Sequence, residues 1–480
     1  MNIVELLKKQ EGKTLEFKRD LSSPRHLLKT LIAFANTAGG VLLIGVKDKT
    51  GEPMGIVDPL DEEERLCNLI ADTVRPRLVP NIEMATVNRK TLLMVEVFPS
   101  GSRPHWLKSE GSEQGVYVRL GSTNRQADRE LIAELFRSAE GIAFDELSMP
   151  GLSADDLDLP AIRTLFGKKR NLDKSGLRTL RLLTHEQGRL IPTRGAILLF
   201  GKEREHHFPD AWVQCGRFIG TNKAKIFDHI ELYDHLPAAV DSIMLFLKKH
   251  AMRGADFSNI RRKDVWSIPL EPLREAVINA LVHADYSQRG APIRVAFFDN
   301  RIEIESPGIL LPGLTVEDIK LGISKIRNPV IARVFRELQL IEQWGSGIPR
   351  IFHETAAEGF PEPSIIELGL RMRFVFPLAE SIQTTPGSES RAQSRLESRL
   401  ESRLATKIIL LFEKETSGKA QLAKELGHAS VSGELHKQIR NLLQRELIEM
   451  TIPEKPNSRL QKYQLTKKGM RMVGQVRGER

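Results

Sequence analysis

The sequence predicts a mixed α/β (α+β) chain made of several folded parts, and three observations support this. Its 480 residues are too many for one domain at roughly 150 residues each. Short apolar runs that suit strands alternate with stretches of helical periodicity as far as residue 380. Residues 381–390 then become rich in Ser, Thr, Gln, Pro and Gly, as linkers are. The predicted parts are 1–138, 141–380, a linker with a short helix over 381–404, and 405–480.

Charge is the next global feature. The formal net charge is +9 and the pI is near 9.4, which favours a polyanionic partner. Basic residues cluster over 75–78, 168–170 and 261–263 and in the last 80 residues, although any one cluster is more often a solvated face. Few aromatic residues lie among them, so the pattern favours contact with a phosphate backbone over base stacking.

Several classes of protein are disfavoured. The apolar runs are far shorter than the roughly 20 residues of a membrane-spanning helix, and the start lacks a secretory signal, so we expect a cytoplasmic protein. Cys67 and Cys215 have no metal or redox spacing. A G-x4-G-K-[ST] motif does not occur, which argues against helicase activity.

The first predicted region is built on a strand, a helix and a second strand. EGKTLEFKRD (11–20) is an acid-bearing strand, LIAFANTAGG (31–40) an apolar helix ending at two glycines, and VLLIGV (41–46) a buried strand. Three carboxylates stand at the strand ends: Glu11, Glu16 and Asp48. Clustered carboxylates suit Mg²⁺ or Mn²⁺, so the pattern predicts either a metal site or a solvated edge.

Ordered motifs in this region resemble the Schlafen-type AlbA-like DNA-binding domain. They are E-x4-EFK, AFANTAGG, IGVKD, PHWLK and VYVRLGSTNRQA, over residues 11–127. The resemblance implies a nucleic-acid face on the last motif, and the matching residues are Arg119, Ser122, Asn124 and Arg125. An ordinary strand and turn is the alternative interpretation of YVRLGSTN.

The same resemblance implies a metal-dependent nuclease, because eukaryotic Schlafens carry a ribonuclease site on acids that match Glu11, Glu16 and Asp48. Lys18 lies two residues after Glu16, on the same strand face, and could contact the scissile phosphate. A same-face ion pair between Glu16 and Lys18 is the alternative.

The pattern also predicts the elements of the middle region. We expect a helix that begins at Ser153, and hydrophobic periodicity suggests four further elements. These are a helix over 177–185, a strand within 192–202, a strand over 212–220 and a long amphipathic helix over 229–251. A hairpin turning at Asp299 and Asn300 follows.

A second group of motifs lies within residues 268–351. The spacing E-x3-N places Glu275 and Asn279 on one helical face, and SPG (306–308) and WGSGI (344–348) follow. In this order they resemble the RecG C-terminal-like segment, a divergent branch of the gyrase, Hsp90 and histidine-kinase (GHKL) ATP-binding fold, an α/β sandwich.

This resemblance implies a site for ATP with Mg²⁺, in which Glu275 activates water and Asn279 helps to bind the metal ion. The cofactor-binding positions are Asn279, His283, Gly308, Gly345 and Gly347. The chain departs from the pattern because the adenine-reading Asp of D-x-G-x-G is absent before Gly308, where Glu305 is the alternative acceptor. A degenerate ATPase fold kept as a scaffold or dimeriser is the other interpretation.

The tail combines a repeat with a predicted winged helix. SRAQSRLESRLESRLA (390–405) would place Leu, Arg and Glu on separate stripes of a helix, which predicts an intermolecular bundle and a homo-oligomer; a charged spacer is the alternative. Residues 405–475 resemble bacterial winged-helix regulators, with a recognition helix over 430–450, although such domains also bind proteins. The expected DNA-contacting residues are Ser432, His436, Lys437, Arg440, Arg459 and Lys462.

Three functions follow as hypotheses. The leading one is a DNA-binding transcriptional regulator that responds to a nucleotide. The alternatives are a metal-dependent endoribonuclease acting on tRNA or structured RNA, and a non-catalytic oligomeric scaffold.

Overall fold

The computed structural model describes residues 2–48, 50–167, 172–256, 263–341, 347–379, 403–414, 416–425, 433–454, 458 and 461–477. The chain forms two compact units, Met1–Gln383 and Thr384–Arg480. Helices and sheets are mixed in both, which confirms the predicted α/β class. The first unit includes both of the first two predicted regions.

The first region contains a four-stranded sheet covered by a helix. Its elements are α1 Ile3–Leu6, β1 Leu15–Lys18, α2 Pro24–Asn36, β2 Gly40–Ile44, α3 Pro59–Thr73, β3 Val74–Arg75, β4 Asn81–Val87, β5 Lys90–Val97, β6 Trp106–Leu107, α4 Gly111–Gln114, β7 Tyr117–Leu120, β8 Thr123–Gln126 and α5 Arg129–Glu140. The sheet order is β1-β2-β5-β4, with β1 parallel to β2. The apolar face of α2, including Leu31 and Phe34, is fully buried on this sheet.

The predicted exit from α2 at two glycines is confirmed. Gly39 has φ +78°, and a Cβ there would lie 2.8 Å from the carbonyl oxygen of Val97. Glycine is therefore the residue that lets the chain turn directly from α2 into β2. This turn sets the buried strand beside β1, where the acid-bearing motif lies.

The second region surrounds a six-stranded sheet. Its elements are two 3₁₀ turns (Phe144–Glu146 and Ala154–Asp156), α6 Leu159–Phe166, α7 Lys174–Thr179, β9 Leu183–Glu186, β10 Arg189–Pro192, α8 Arg194–Phe200, α9 Arg204–His207, β11 Val213–Phe218, β12 Ile226–Leu232, α10 Leu236–His250, β13 Arg253–Asp256, β14 Lys263–Trp266, α11 Leu270–His283, β15 Ile293–Phe297, β16 Arg301–Pro307, α12 Val316–Lys320, α13 Pro329–Glu337, α14 Gly347–Ala357, β17 Ser364–Leu368 and β18 Arg371–Pro377. Within the described residues the order is β12-β11-β15-β16-β18-β17. Helices α10 and α11 pack on one face and enclose the main core with it.

Three sequence predictions in this region are wrong in part. The expected helix over 177–185 ends at Thr179, and Leu183–Glu186 is a strand. The apolar run within 192–202 is helix α8, because Thr193 caps its first turn by accepting from Ala196 N–H, and a short buried run has no period that separates helix from strand. The start of 229–251 is the edge strand β12.

The second unit has the element order of a winged helix. It comprises α15 Arg403–Lys414, α16 Lys419–Glu425, α17 Gly433–Gln444, β19 Ile448–Met450, β20 Tyr463–Leu465 and α18 Lys467–Arg477. The expected recognition helix over 430–450 is corrected at its end: it stops at Gln444, and Ile448–Met450 pairs with Tyr463–Leu465 as the wing. The repeat at 390–405 falls almost entirely outside the described residues.

Across the described part of the chain, every helix is too short or too polar to cross a membrane.

Candidate functional site

The predicted acidic centre lies on β1 and the turn after β2. Nζ of Lys18 donates to Oε1 of Glu16 at 2.6 Å and lies 3.9 Å from Oδ2 of Asp48. Glu11 accepts from Phe17 N–H at 3.0 Å. Lys18 therefore links Glu16 and Asp48, whereas Glu11 binds the backbone of β1.

Arg119 completes the pairing of Glu16. It is fully buried, and its Nη2 donates to Oε2 of Glu16 at 2.5 Å and to the carbonyl oxygen of Gly12 at 3.0 Å. Its Nη1 donates to Oδ1 of Asn124, which in turn donates to Thr30. The expectation that Arg119 contacts nucleic acid is therefore corrected, because its side chain is fully buried. Asn124 is half-buried, and its contact with nucleic acid stays a prediction.

This arrangement does not fit a divalent metal ion. Both carboxylate oxygens of Glu16 are bound by cations, and a ligand set for Mg²⁺ needs free oxygens. In the residues that the structure describes, no group of three His, Cys, Asp or Glu side chains is placed to hold a metal ion. The same-face pair of Glu16 and Lys18, the alternative drawn from the sequence, is what the geometry favours.

The hairpin β7–β8 still offers an exposed surface. Ser122 and Arg125 are exposed, unlike their neighbours Arg119 and Asn124. Ser122 lies in the turn between the two strands, and Arg125 follows Asn124 on β8, where successive side chains point to opposite faces. Ser122 and Arg125 therefore remain available to a partner.

The second predicted site is a cavity of about 490 Å³ beside α11. Its lining includes Glu275, Asn279 and His283, three residues on one face of the helix, as their spacing predicts. Gly308 precedes the opposite wall, and Gly347 lies at the start of α14. Gly345 falls outside the described residues. Burial lowers the pKa of His283 to about 4, so its ring is neutral at pH 7.

Glu275 is engaged in this cavity. Its Oε2 accepts from Nη2 of Arg350 at 2.6 Å, and its Oε1 accepts from Nδ2 of Asn279 at 3.1 Å. A Cβ at position 347 would collide with Oε1 of Glu275, so glycine lets α14 approach α11 closely. The carboxylate that would activate water is thus held in an ion pair.

The side of the cavity across from α11 is mostly apolar and also carries two cations. Leu310, Ile319 and Phe374 are among its apolar residues, and Lys325 and Arg327 supply positive charge. A partly apolar cavity with a few placed charges is typical of small-ligand sites, and its volume lies in the usual range.

Glu305 is not available as an adenine acceptor. Its carboxylate accepts from Nε of Arg371 at 2.8 Å and Nη2 of Arg373 at 2.7 Å, on the sheet face away from the cavity. Ser306 lines the cavity instead, because neighbouring strand residues alternate between faces. Glu275 is then the one acid among the described lining residues.

These features fit an anionic ligand that has an apolar part, and so they fit a nucleotide in size and charge. Lys325, Arg327 and Arg350 would face its phosphates, and bound Mg²⁺ would neutralise phosphate charge there. The paired state of Glu275 is unfavourable for hydrolysis.

The cavity wall also belongs to the interface with the first region. Arg327, which lines the cavity, pairs with Glu134 of α5 and donates to the carbonyl oxygen of Ile309, all within a buried environment. Ile309 packs with Val118 and Leu131 of the first region. Burial lowers the pKa of Arg327 to about 10, still well above neutral pH, so the guanidinium stays charged.

A second link lies beside it. Leu310 N–H donates to Oε1 of Glu367 at 2.9 Å, and Lys13 donates to the same carboxylate at 2.6 Å. Gly313 N–H donates to the carbonyl oxygen of Thr37 at 2.9 Å. The segment 309–327 is therefore both a wall of the cavity and a contact surface for the first region.

In the second unit, His436, Lys437 and Arg440 are exposed on one face of α17, and Lys462 is exposed beside β20. Buried Leu435, Ile439 and Leu442 form the opposite face of that helix. Ser432 and Arg459 fall outside the described residues. The four described residues are accessible to a partner, as a DNA-contacting surface requires.

Sequence reasoning missed Lys325, Arg327, Arg350 and Glu134. Arg350 follows Gly347 by about one helical turn, which was a usable signal. Arg327 stands in the run SKIRNP before α13, where a basic loop leads into a helix. Their partners are distant in sequence, so pairing could not be read from spacing.

Three family models match parts of the chain. Residues 11–128 match "Schlafen, AlbA_2", residues 290–376 match "Putative ATP-dependent DNA helicase recG C-terminal", and residues 406–466 match "Filamentation induced by cAMP protein Fic-like, C-terminal domain". The first two matches confirm the two resemblances drawn from the motifs. The third concerns the predicted winged helix, for which the motifs had indicated no such family.

Two solved structures are similar over different extents. The DIP2311 protein from Corynebacterium diphtheriae is 19% identical with a TM-score of 0.42, covering 96% of this chain and 93% of that chain. The N-terminal domain of a RecG-related protein from Nitrosomonas europaea is 29% identical with a TM-score of 0.23, covering 26% of this chain and 94% of that chain. No curated protein matches this chain.

Proposed function

We propose that this chain, which carries a Schlafen-type AlbA-like domain and a RecG C-terminal-like segment, is a DNA-binding transcriptional regulator whose affinity for DNA responds to a nucleotide. The AlbA-like domain indicates nucleic-acid binding. The net charge of +9 supports it, since positive charge attracts a phosphate backbone.

The single observation that carries the nucleotide response is the shared wall of the cavity. Arg327 lines the cavity and pairs with Glu134 of the AlbA-like domain, within one compact unit. A ligand that shifts Arg327 must also change the surroundings of α5. Coupling of this kind requires that the ligand favour one arrangement of the shared segment over another.

ATP with Mg²⁺ is the proposed ligand. Lys325, Arg327 and Arg350 would bind its phosphates, and the apolar wall would receive the base. Asn279 is within reach of the same space, and we assign it to the metal ion, with Glu275 as a weak base at most because Arg350 pairs with it. The proposed role of the nucleotide is regulatory.

DNA would be contacted at two places. Ser122 and Arg125 form the exposed side of the β7–β8 hairpin, and α17 with its wing offers His436, Lys437, Arg440 and Lys462. Lys and Arg at both places suit phosphates, and the helix suits the major groove.

Two measurements test this function. Calorimetric titration with ATP and Mg²⁺ should show heat of binding for the wild-type chain. The affinity for ATP should be at least tenfold lower in an Asn279→Ala variant. Fluorescence anisotropy with duplex DNA should show binding that weakens in a Lys437→Ala/Arg440→Ala variant. A chain that binds neither ligand would contradict the proposal.

The assembly of the chain remains a separate proposal. The stripes of residues 390–405 favour a homo-oligomer through an intermolecular helix bundle. Mass measurement in solution with and without these residues tests it, and an unchanged subunit count would reject the bundle.

The nuclease and scaffold hypotheses have less support. Pairing of Glu16 with Lys18 and Arg119 opposes metal binding at the acidic centre. Incubation with tRNA and Mn²⁺, compared with a Glu11→Ala/Glu16→Ala variant, would reveal metal-dependent cleavage if it occurs. A scaffold would show neither ATP nor DNA binding.

A further inference from the structure

A basic surface in the middle region lies outside every site described above. Between residues 159 and 192, two short helices, α6 and α7, are followed by the hairpin β9–β10. Four cations on these elements are exposed: Arg163, Lys174, Arg178 and Arg189. These four residues are called here the helix–hairpin surface; residues 168–171 are not part of it.

Among the described residues, the cations of this surface have no ion-pair partner. In the described part of the chain, no carboxylate lies within ion-pair distance of Arg163, Lys174, Arg178 or Arg189. Their neighbour Arg181 differs, because it pairs with Glu146. Free cations in a cluster repel one another, so an anionic partner that neutralises several of them would gain favourable energy.

The surface has a defined shape. Lys174 and Arg178 are four residues apart on α7 and so lie on one helical face. A groove of about 630 Å³ beside Arg178 is lined by Ser175, Thr179, Thr184 and His185, among others, and its acid, Glu146, is paired with Arg181. Hydroxyl, guanidinium and imidazole groups are donors that suit phosphate oxygens.

The chemistry favours a duplex over a single strand. The one aromatic residue of 159–192, Phe166, is buried, so no aromatic platform is available for unstacked bases. Gln187 and Gly188 have positive φ at the tip of the hairpin β9–β10. Cations are therefore presented by both a helix, α7, and this hairpin. Among duplexes, DNA is the one that the proposed function assigns to this chain, and this inference rests on that function.

We propose that the helix–hairpin surface binds the phosphate backbone of double-stranded DNA, as a third contact in addition to the AlbA-like domain and the second unit. The contacts would fix the position of the DNA without reading its sequence, because α7 has six residues and carries cations instead of amide groups.

The test compares charge reversal on and off this surface in the full chain. The test variant is Lys174→Glu/Arg178→Glu/Arg189→Glu, and the matched control is Lys223→Glu/Lys225→Glu/Lys248→Glu, three exposed lysines elsewhere in the same region. The affinity for a duplex of about 30 base pairs is measured by anisotropy between 50 and about 200 mM salt. Duplex RNA and single-stranded DNA of the same sequence are the other arms.

We expect the test variant to lose at least tenfold in affinity for duplex DNA and to reduce the slope of log affinity against log salt by about 2 to 3, at roughly 0.9 per phosphate contact. A Lys174→Gln/Arg178→Gln/Arg189→Gln variant should give a smaller loss in the same direction. The control should keep the wild-type slope.

Equal slopes in the test variant and the control would overturn this inference while leaving the proposed function intact. A larger loss for RNA than for DNA would overturn the choice of DNA. A wild-type chain that binds no duplex would contradict both this inference and the proposed function.

Discussion

Two carboxylates that the sequence singled out each pair with an arginine, but the two ion pairs have different surroundings. Glu16 in the AlbA-like domain pairs with Arg119, and Glu275 in the RecG C-terminal-like segment pairs with Arg350. Arg119 is fully buried, whereas Arg350 lines a cavity of about 490 Å³. A paired carboxylate therefore serves the fold in one case and borders an open cavity in the other.

The comparison shows that residue type and spacing do not distinguish a structural ion pair from a site. Both motifs carry acids in the spacing of a catalytic family. The discriminating feature is open space beside the pair, which only folding creates.

The largest expected effect concerns Arg119. An Arg119→Met variant leaves Glu16 and the carbonyl oxygen of Gly12 without their buried donor, so the free energy of unfolding should fall by about 3 to 5 kcal/mol. Arg125→Met, which removes an exposed arginine of the same hairpin, should change it by less than about 0.5 kcal/mol. Denaturant unfolding of both variants measures this, and similar values would contradict a structural role for Arg119.

Asp145 provides a third carboxyl that sharpens the comparison, because it lacks an ion pair among the described residues. Burial raises the pKa of Asp145 to about 7. The N–H groups of Val330 and Ile331 donate to its carboxylate and act in the opposite direction, but burial has the larger effect. Because the pKa is higher in the folded state than in the unfolded state, protonation of Asp145 contributes to stability. This contribution is fully present below about pH 4 and is lost as the pH rises through 7.

An Asp145→Asn variant should therefore lose this pH dependence, which is on the order of a few kcal/mol between pH 5 and 8. The N-terminus of α13 keeps an acceptor, the amide oxygen. Denaturant unfolding of both proteins at the two pH values measures the difference. The same pH slope in both proteins would show that Asp145 does not titrate as stated.

A moderate effect is expected at the cavity floor. Removing the charge in a Lys325→Ala variant should weaken ATP binding by about 10- to 100-fold, since a hydrogen bond to a charged group contributes about 1.5 to 3 kcal/mol. Lys320→Ala is the matched control, because Lys320 is an exposed lysine outside the cavity lining. Calorimetric titration compares them, and equal losses would place the ligand elsewhere.

The smallest effect is expected at Glu275. Neutralising this acid in a Glu275→Gln variant removes negative charge near the phosphates and should tighten ATP binding about threefold to tenfold. Glu354→Gln, which changes the other acid near Arg350, is the control. Weaker binding in the Glu275→Gln variant would indicate that Glu275 itself contacts the bound ligand.

Much of the local structure followed from the sequence. The E-x3-N spacing placed Glu275 and Asn279 on one helical face, and the turn at Asp299 and Asn300 was found where expected. Periodicity failed on the short apolar run that forms α8, because burial on all sides removes the pattern.

The ion pairs beside the cavity could not be predicted from local spacing or periodicity. Glu275 and Arg350 are 75 residues apart, and Glu134 and Arg327 are 193 apart. Such contacts depend on how α11, α14 and α5 pack together, which local propensity does not specify. The burial of Arg119 escaped prediction for the same reason, since its partner Gly12 lies 107 residues away.

Coupling between the cavity and the AlbA-like domain is the central claim, and one measurement tests it most directly. The affinity of the full chain for duplex DNA is measured by anisotropy at fixed salt, with and without saturating ATP and Mg²⁺. We expect ATP and Mg²⁺ to change the affinity for DNA by at least about fivefold, which corresponds to a coupling free energy of about 1 kcal/mol. The change should be smaller in a Lys13→Ala variant, which weakens the shared wall. ATP binding confirmed by calorimetry together with an unchanged DNA affinity would contradict the account.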